Sequence, residues 1–130
     1  MSKILIVDDN KGTMDLIESC IIDLCENIFK ARDGKLGWET YKKVKPDLVI
    51  TDYRMPGLDG IELAKLIEKD RPKCPVILLS GYDDMDEKVK SYFTKIFAKP
   101  FPIRIFHLTV KQLLDSSKNE AMPLDNETNL

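Results

Sequence analysis

Short apolar runs alternate with amphipathic segments along most of this 130-residue chain. The central runs lack polar alternation, which is typical of strands that are covered on both faces of a sheet. Strands that alternate with helices indicate βαβ units and a parallel sheet, so an α/β fold is predicted. The strand runs are Ile4–Val7, Ile28–Ala31, Leu48–Ile50, Val76–Leu79 and Ile96–Ala98.

Five helices are predicted from apolar residues that recur at helical spacing. The stripes are Met14, Ile17, Ile21 and Leu24 in the first; Trp38, Tyr41 and Val44 in the second; Ile61, Ala64 and Ile67 in the third; Met85, Val89 and Tyr92 in the fourth; and Ile103, Phe106, Val110 and Leu113 in the fifth.

Capping residues predict where three of these helices begin. Asp59 can cap the third helix, and Glu62 completes a pattern like a capping box. Asp83 or Asp84 can cap the fourth, and Pro102 suits the first turn of the fifth.

Composition and charge limit the class of protein. With 43% apolar and 32% charged residues, the composition is ordinary for a soluble domain. Residues 1–115 are predicted to form one domain, and the polar segment 116–130 a disordered tail that carries the net charge of −2. The neutral body offers no electrostatic footprint for nucleic acid. Without a signal peptide or a run of ~20 apolar residues, we expect a cytoplasmic protein with no membrane partner.

Polar residues follow four of the apolar runs. Asp8 and Asp9 end the first, and Asp52, Ser80 and Lys99 end three others. In an open parallel sheet, ligands bind beyond the carboxyl ends of the strands, so these side chains are expected to meet in one cleft. Taken singly, each also fits a role as a turn, a helix cap or a surface residue.

Together, the three carboxylates indicate a bound cation. Two carboxylates about 4 Å apart repel by about 4 kcal/mol at an effective dielectric near 20, and Lys99 alone cannot offset a third. Mg²⁺ fits, because it prefers oxygen ligands and keeps waters that phosphate oxygens can replace. Ser80 and Lys99 would contact a phosphoryl group. Pro100 favours an extended Lys99 and is compatible with a cis bond.

The remaining chemically active side chains point to no second site. Cys20, Cys25 and Cys74 form no C-x-x-C pair and are interpreted as free thiols. His107, the single histidine, falls within the fifth helix, and no function is expected for it.

Four motifs now carry a resemblance to a known family. Lys3–Asp9 reads KILIVDD, Asp47–Gly60 reads DLVITDYRMPGLDG, Pro75–Gly81 reads PVILLSG and Lys99–Phe101 reads KPF. In this order and spacing, they resemble the receiver domain of two-component response regulators, over roughly residues 3–115.

The resemblance implies a flavodoxin-like (βα)₅ fold with strand order 2-1-3-4-5. It implies that Asp52 accepts a phosphoryl group from a phosphohistidine of a sensor histidine kinase or a histidine phosphotransferase. Asp9, Asp52 and the backbone carbonyl of Arg54 would bind Mg²⁺, for which Mn²⁺ can substitute, and Asp8 would act through a bound water. An aspartate nucleophile that forms an acyl phosphate is an established covalent strategy.

The resemblance also assigns roles around the phosphoryl group. Ser80 and Lys99 would hold it and move with it. Arg54 and Tyr82, two residues beyond Asp52 and Ser80, occupy positions that tune hydrolysis in the family. Their bulk is expected to crowd the in-line path of water and to give a long-lived phosphoprotein.

One position departs from the family pattern. Receivers usually carry Tyr or Phe three residues before the lysine, and its ring swings inward on activation. Ile96 occupies that position here, and Phe97 should point to the opposite face of the strand. The switch is therefore expected to be weaker or differently built.

The expected protein is a phosphoacceptor switch that catalyses only its own phosphorylation and dephosphorylation, not a conventional enzyme. We expect a stand-alone receiver that signals to a downstream protein or acts in a phosphorelay; the alternative is the excised receiver of a longer transcription factor or hybrid kinase. A Mg²⁺-dependent phosphatase resembling the haloacid dehalogenases would need an acid where Arg54 stands. A flavodoxin would need a Ser/Thr/Gly-rich phosphate loop where Asp8 and Asp9 stand.

Overall fold

A parallel five-stranded sheet organises the part of the chain that the computed structural model describes, residues 2–81 and 85–120. Its strand order is 2-1-3-4-5, which confirms the predicted fold. The strands are β1 (Lys3–Val7), β2 (Asn27–Ala31), β3 (Leu48–Asp52), β4 (Val76–Ser80) and β5 (Lys95–Ala98). The helices are α1 (Lys11–Ile21), α2 (Gly34–Val44), α3 (Gly60–Asp70), α4 (Glu87–Lys90) and α5 (Ile103–Glu120).

The sheet is covered on both faces. Successive residues of a strand point to opposite faces, and each face packs against its own apolar core. Ile4 and Ile6 of β1 belong to one apolar core, with α1 and α5. Leu5 and Val7 belong to a second core, with α2 and α3. All four side chains are fully buried, which explains why the strand runs show no polar alternation. At the sheet edge, Phe97 and Ile96 contribute to opposite cores, as predicted.

The start of α3 is built directly against the end of β3. Asp59 and Glu62 form the predicted capping box, with each side chain accepting from the backbone N–H of the other. The Gly60 N–H donates to the carbonyl of Tyr53 at 2.7 Å. A Cβ atom at Gly60 would collide with the backbone carbonyl of Asp52, so only glycine allows this approach.

The prediction for α4 was wrong in its start and its length. The helix is a single turn that begins at Glu87, and Asp86 is its cap. Met85 and Tyr92 therefore lie outside it, and the proposed caps Asp83 and Asp84 lie outside the described residues. No α4 residue is fully buried; Met85, Val89 and Tyr92 all pack against the second core, but only Val89 does so from within the helix.

The ends and phase of two further helices also differ from the prediction. Leu24 follows the end of α1, although it still packs against the first core. In α5, Ile103 is 53% exposed and Leu114 is buried, so the stripe runs through Phe106, Val110 and Leu114. The helix continues to Glu120, past the predicted boundary at residue 115, because each residue added to a formed helix gains a backbone hydrogen bond.

Within the described residues, no helix combines the length and the apolar character that a bilayer span needs.

The contact between α3 and β3 predicts a costly substitution. Gly60→Ala should destabilise the protein by about 1–3 kcal/mol, because the added methyl group must displace the Asp52 backbone. Urea unfolding would measure the loss. Gly81→Ala is the matched control, because a Cβ there meets no atom within 4 Å. Equal stability of the two variants would contradict the close approach.

Candidate functional site

The carboxyl ends of β1, β3, β4 and β5 form one edge of the sheet. Val7 pairs with Thr51, and Asp8 and Asp52 follow these residues on adjacent strands. Ser80 pairs with Ala98, and Lys99 follows on β5. The strand order therefore brings these chain segments to the same end of the sheet.

Asp8 is the buried member of the acidic cluster, with 1% of its surface exposed. Its backbone N–H donates to the carbonyl of Ala31, and its Oδ1 accepts from the N–H of Asn10 at 2.9 Å. Burial raises the pKa of the Asp8 carboxyl, and the charge of Asp52 adds to the rise, against the lowering by the Asn10 N–H and by Lys99. The site therefore holds this negative charge at a cost.

Asp9 lies at the open side of the cluster. Its side chain is exposed, unlike that of Asp8. One carboxylate oxygen from each of Asp8, Asp9 and Asp52 lies within 4.8 Å of the other two. The next residue, Asn10, caps α1 by accepting from the N–H of Thr13 at 2.8 Å, which fixes the turn that carries both acids.

Asp52 ends β3 with its carboxylate at the centre of the site. Its Oδ1 accepts from the N–H of Tyr53 at 2.9 Å and from Lys99 Nζ at 3.0 Å. The side chain retains 15% exposure, so a reactant can reach it. The first residue of α3, Gly60, lies directly against the Asp52 backbone and helps to hold the end of β3 in place.

Lys99 bridges two of the acids. Its Nζ lies 3.0 Å from Asp52 and 3.3 Å from Asp8. Partial burial lowers the pKa of the Lys99 ammonium, but its hydrogen bond to Asp52 and the charges of Asp8 and Asp52 outweigh that effect and raise it. The lysine is therefore held firmly in its charged form. The Lys99–Pro100 bond is cis, as the sequence allowed.

Ser80 is buried beside this lysine, with 1% of its surface exposed. Its backbone carbonyl accepts from the N–H of Lys99 at 2.9 Å, which ties the end of β4 to the residue after β5. The two residues expected to contact a phosphoryl group are thus neighbours.

The structure places the other singled-out residues as follows. Arg54 is exposed, and its guanidinium lies over the ring of Tyr53. Ile96 is half-buried in the core formed with α2 and α3. Tyr82 lies outside the described residues. His107 pairs with Asp23 at 3.0 Å and is not part of the acidic cluster.

The donor set fits Mg²⁺. The cluster offers one oxygen atom from each of three carboxylates, and this cation prefers oxygen donors. Within the described residues, no other group of three His, Cys, Asp or Glu side chains lies close enough together to hold an ion. All three cysteines are free thiols, and burial raises the pKa of each, most for Cys74, to about 11.

Sequence reasoning missed two residues that order the site. Asn10 binds Asp8 through its backbone and caps α1 with its side chain. Its position before a helical segment was a usable signal for the cap. Tyr53 donates to Asp52 and stacks with Arg54, and no sequence pattern announces that contact.

Comparison with known proteins agrees with this geometry. The family model for the response regulator receiver domain matches residues 4–111. Sporulation initiation phosphotransferase F of Bacillus subtilis is 33% identical over 120 residues, covering 90% of this chain and 97% of that protein. A solved structure of a two-component transcriptional regulator AraC from Clostridium phytofermentans is 33% identical, with a TM-score of 0.79, covering 92% of this chain and 97% of that one.

Other relatives are longer than this chain. The Bacillus subtilis alkaline phosphatase synthesis transcriptional regulatory protein PhoP is 30% identical, covering 92% of this chain and 51% of PhoP. The matched region is thus a unit that occurs in proteins of different overall length. On the family match, the fold and the relatives, this chain belongs to the response regulator receiver domain family of two-component signal transduction.

Proposed function

We propose that this protein accepts a phosphoryl group on Asp52 from a phosphohistidine, in a Mg²⁺-dependent reaction, and that phosphorylation changes its conformation. The observation that carries the proposal is the set of charged groups around Asp52. Its carboxylate is 3.0 Å from the Lys99 ammonium and within 4.8 Å of two further carboxylates. The match to the receiver-domain family supports a phosphoacceptor switch that would catalyse only its own phosphorylation and dephosphorylation.

The transfer step uses Asp52 as nucleophile. A carboxylate oxygen forms the new bond to phosphorus while the bond from phosphorus to the histidine nitrogen breaks, and the released imidazole takes up a proton. Phosphoryl transfer depends mainly on positioning and charge neutralisation. Lys99, bound to Asp52 before transfer, stays beside the incoming oxygens and offsets their charge. Ser80 donates a hydrogen bond to the same group.

Asp9, Asp52 and the backbone carbonyl of Arg54 would hold Mg²⁺ or Mn²⁺, and Asp8 would contribute through a bound water. When bound, the cation neutralises charge that develops on the phosphoryl oxygens. The exposed position of Asp9 and the buried position of Asp8 suit a direct and an indirect ligand, respectively.

The partners follow from this chemistry. The phosphodonor is a sensor histidine kinase or a histidine phosphotransferase, and the recipient of the signal is a downstream protein in the cytoplasm. The likeness to sporulation initiation phosphotransferase F favours a phosphorelay, in which the phosphoryl group is passed onward. A receiver that only binds a downstream protein is the second candidate.

Arg54 and Tyr82 would set how long the phosphoryl group persists. Both positions lie two residues beyond a residue that contacts the phosphoryl group. Two bulky side chains reduce the approach of water along the line opposite the breaking bond, so we propose a comparatively long-lived phosphoprotein.

Asp52 phosphorylation gives the primary test. Incubation with acetyl phosphate and Mg²⁺, followed by mass spectrometry, should place one phosphoryl group on Asp52. Asp52→Asn should abolish labelling, and chelation of Mg²⁺ should stop it. The matched control is Asp15→Asn, an exposed aspartate of α1 that should label normally. If the Asp52→Asn variant were labelled at another residue to the same extent as the wild type, the proposal would be contradicted.

Asp9 should carry more of the Mg²⁺ affinity than Asp8. Calorimetric titration of Mg²⁺ into Asp8→Asn and Asp9→Asn would measure this, with a larger loss expected for Asp9→Asn because it is the direct ligand. Without metal, both variants should be at least as stable as wild type, since one of three like charges is removed. A larger affinity loss for Asp8→Asn would reverse the assignment.

The conformational change of β5 on phosphorylation should be small, because Ile96 stands where receivers usually carry an aromatic residue. Inverting an equilibrium from 1:99 to 99:1 takes about 5.5 kcal/mol. Contacts of the phosphoryl group to Ser80 and Lys99 supply part, and a branched Ile96 adds less apolar burial than a mobile ring.

Amide NMR with and without beryllofluoride tests this switch. Shifts should be strong in the segment after Ser80 and small in α4 and β5, and Ile96→Tyr should enlarge the latter. Large wild-type shifts through α4 and β5 that Ile96→Tyr leaves unchanged would show that no aromatic is needed at residue 96.

A further inference from the structure

Tyr53 is held at three points next to Asp52. Its backbone N–H donates to Asp52 Oδ1 at 2.9 Å, and its carbonyl accepts from the Gly60 N–H at 2.7 Å. Its ring is partly buried against the core formed with α2 and α3. The backbone and the ring are therefore both fixed, and the ring forms a rigid surface at the edge of the site.

Arg54 lies on this surface. Its Cζ atom is 4.8 Å from the centroid of the Tyr53 ring, within the range in which a guanidinium is attracted to an aromatic face. An exposed arginine otherwise samples many rotamers, and ordering it costs side-chain entropy. Because the ring packs against the core, stacking on it limits the rotamers that Arg54 samples.

We infer that Tyr53 is a positioning residue that sets the lifetime of phosphorylated Asp52 by holding Arg54 in place. The inference rests on the proposed phosphorylation of Asp52. The guanidinium that Tyr53 retains next to Asp52 reduces the in-line approach of water to the phosphorus atom. When the ring is removed, Arg54 spends less time in that position and water attacks more often. Tyr53 itself does not contact the reacting atoms.

The kinetic test is a double-mutant comparison. Wild type, Tyr53→Leu, Arg54→Ala and the double variant are loaded with acetyl phosphate and Mg²⁺, the donor is removed, and the remaining phosphoprotein is followed by intact mass spectrometry. Tyr53→Leu should hydrolyse roughly two- to fivefold faster, the ratio that an exposed cation–π contact supports. In the Arg54→Ala background, the same substitution should have no further effect.

Two variants separate this role from a merely structural one. Tyr53→Phe keeps the ring and should restore the wild-type rate. Arg54→Gln removes the cation without touching the ring and should hydrolyse as fast as Arg54→Ala. An equal effect of Tyr53→Leu in both backgrounds, an unchanged rate or a slower rate would each overturn the inference.

An NMR measurement tests the contact without phosphorylation. The side-chain protons of Arg54 should show a ring-current shift in the wild type and in Tyr53→Phe, and lose it in Tyr53→Leu. Absence of this shift in the wild type would overturn the inference even if Asp52 is phosphorylated. Failure of the wild type to label at Asp52, with the shift present, would instead count against the proposed function.

Discussion

The ammonium of Lys99 is the contact on which the site depends. It lies 3.0 Å from Asp52 and 3.3 Å from Asp8, and Asp9 stands close to both acids. Each pair of carboxylates at such distances repels by several kcal/mol at an effective dielectric near 20. One lysine leaves more negative than positive charge in the cleft. The cleft thus keeps a net negative charge, which suits the divalent cation of the proposed function.

This charge arrangement is tied to the fold because its parts are distant in the chain. Asp8 and Lys99 are 91 residues apart, and only the parallel pairing of β1, β3, β4 and β5 brings them together. The apolar cores on both faces stabilise that pairing and hence keep the unfavourable charges in place. Local unfolding at this end of the sheet would release the repulsion, so the acidic cluster lowers the stability that the apolar cores provide.

The sequence predicted those features that burial and strand order determine. Unbroken apolar runs located the strands. Asp8, Asp52, Ser80 and Lys99 could be singled out because each is the polar residue at the end of such a run. The α4 prediction was wrong because Met85, Val89 and Tyr92 all pack against the second core, yet only Val89 does so from within a helix. The contact between Arg54 and Tyr53 depends on rotamers, which a residue pattern does not encode.

The two sides of the site differ in how firmly the described residues hold them. On the β3 side, Gly60 abuts the Asp52 backbone, a capping box starts α3, and Tyr53 is bonded at both its N–H and its carbonyl. On the β4 side, Ser80 is followed by an exposed glycine, and α4 is one turn without a buried residue. Segments with few buried apolar contacts open at the lowest free-energy cost. Under the proposed function, a phosphoryl group on Asp52 would therefore leave the β3 side in place, and the conformational change would occur on the β4–α4 side. Ile96 of β5 pairs with Leu78 of β4 and packs against the core formed with α2 and α3, so its apolar contacts would determine how far such a change extends into β5.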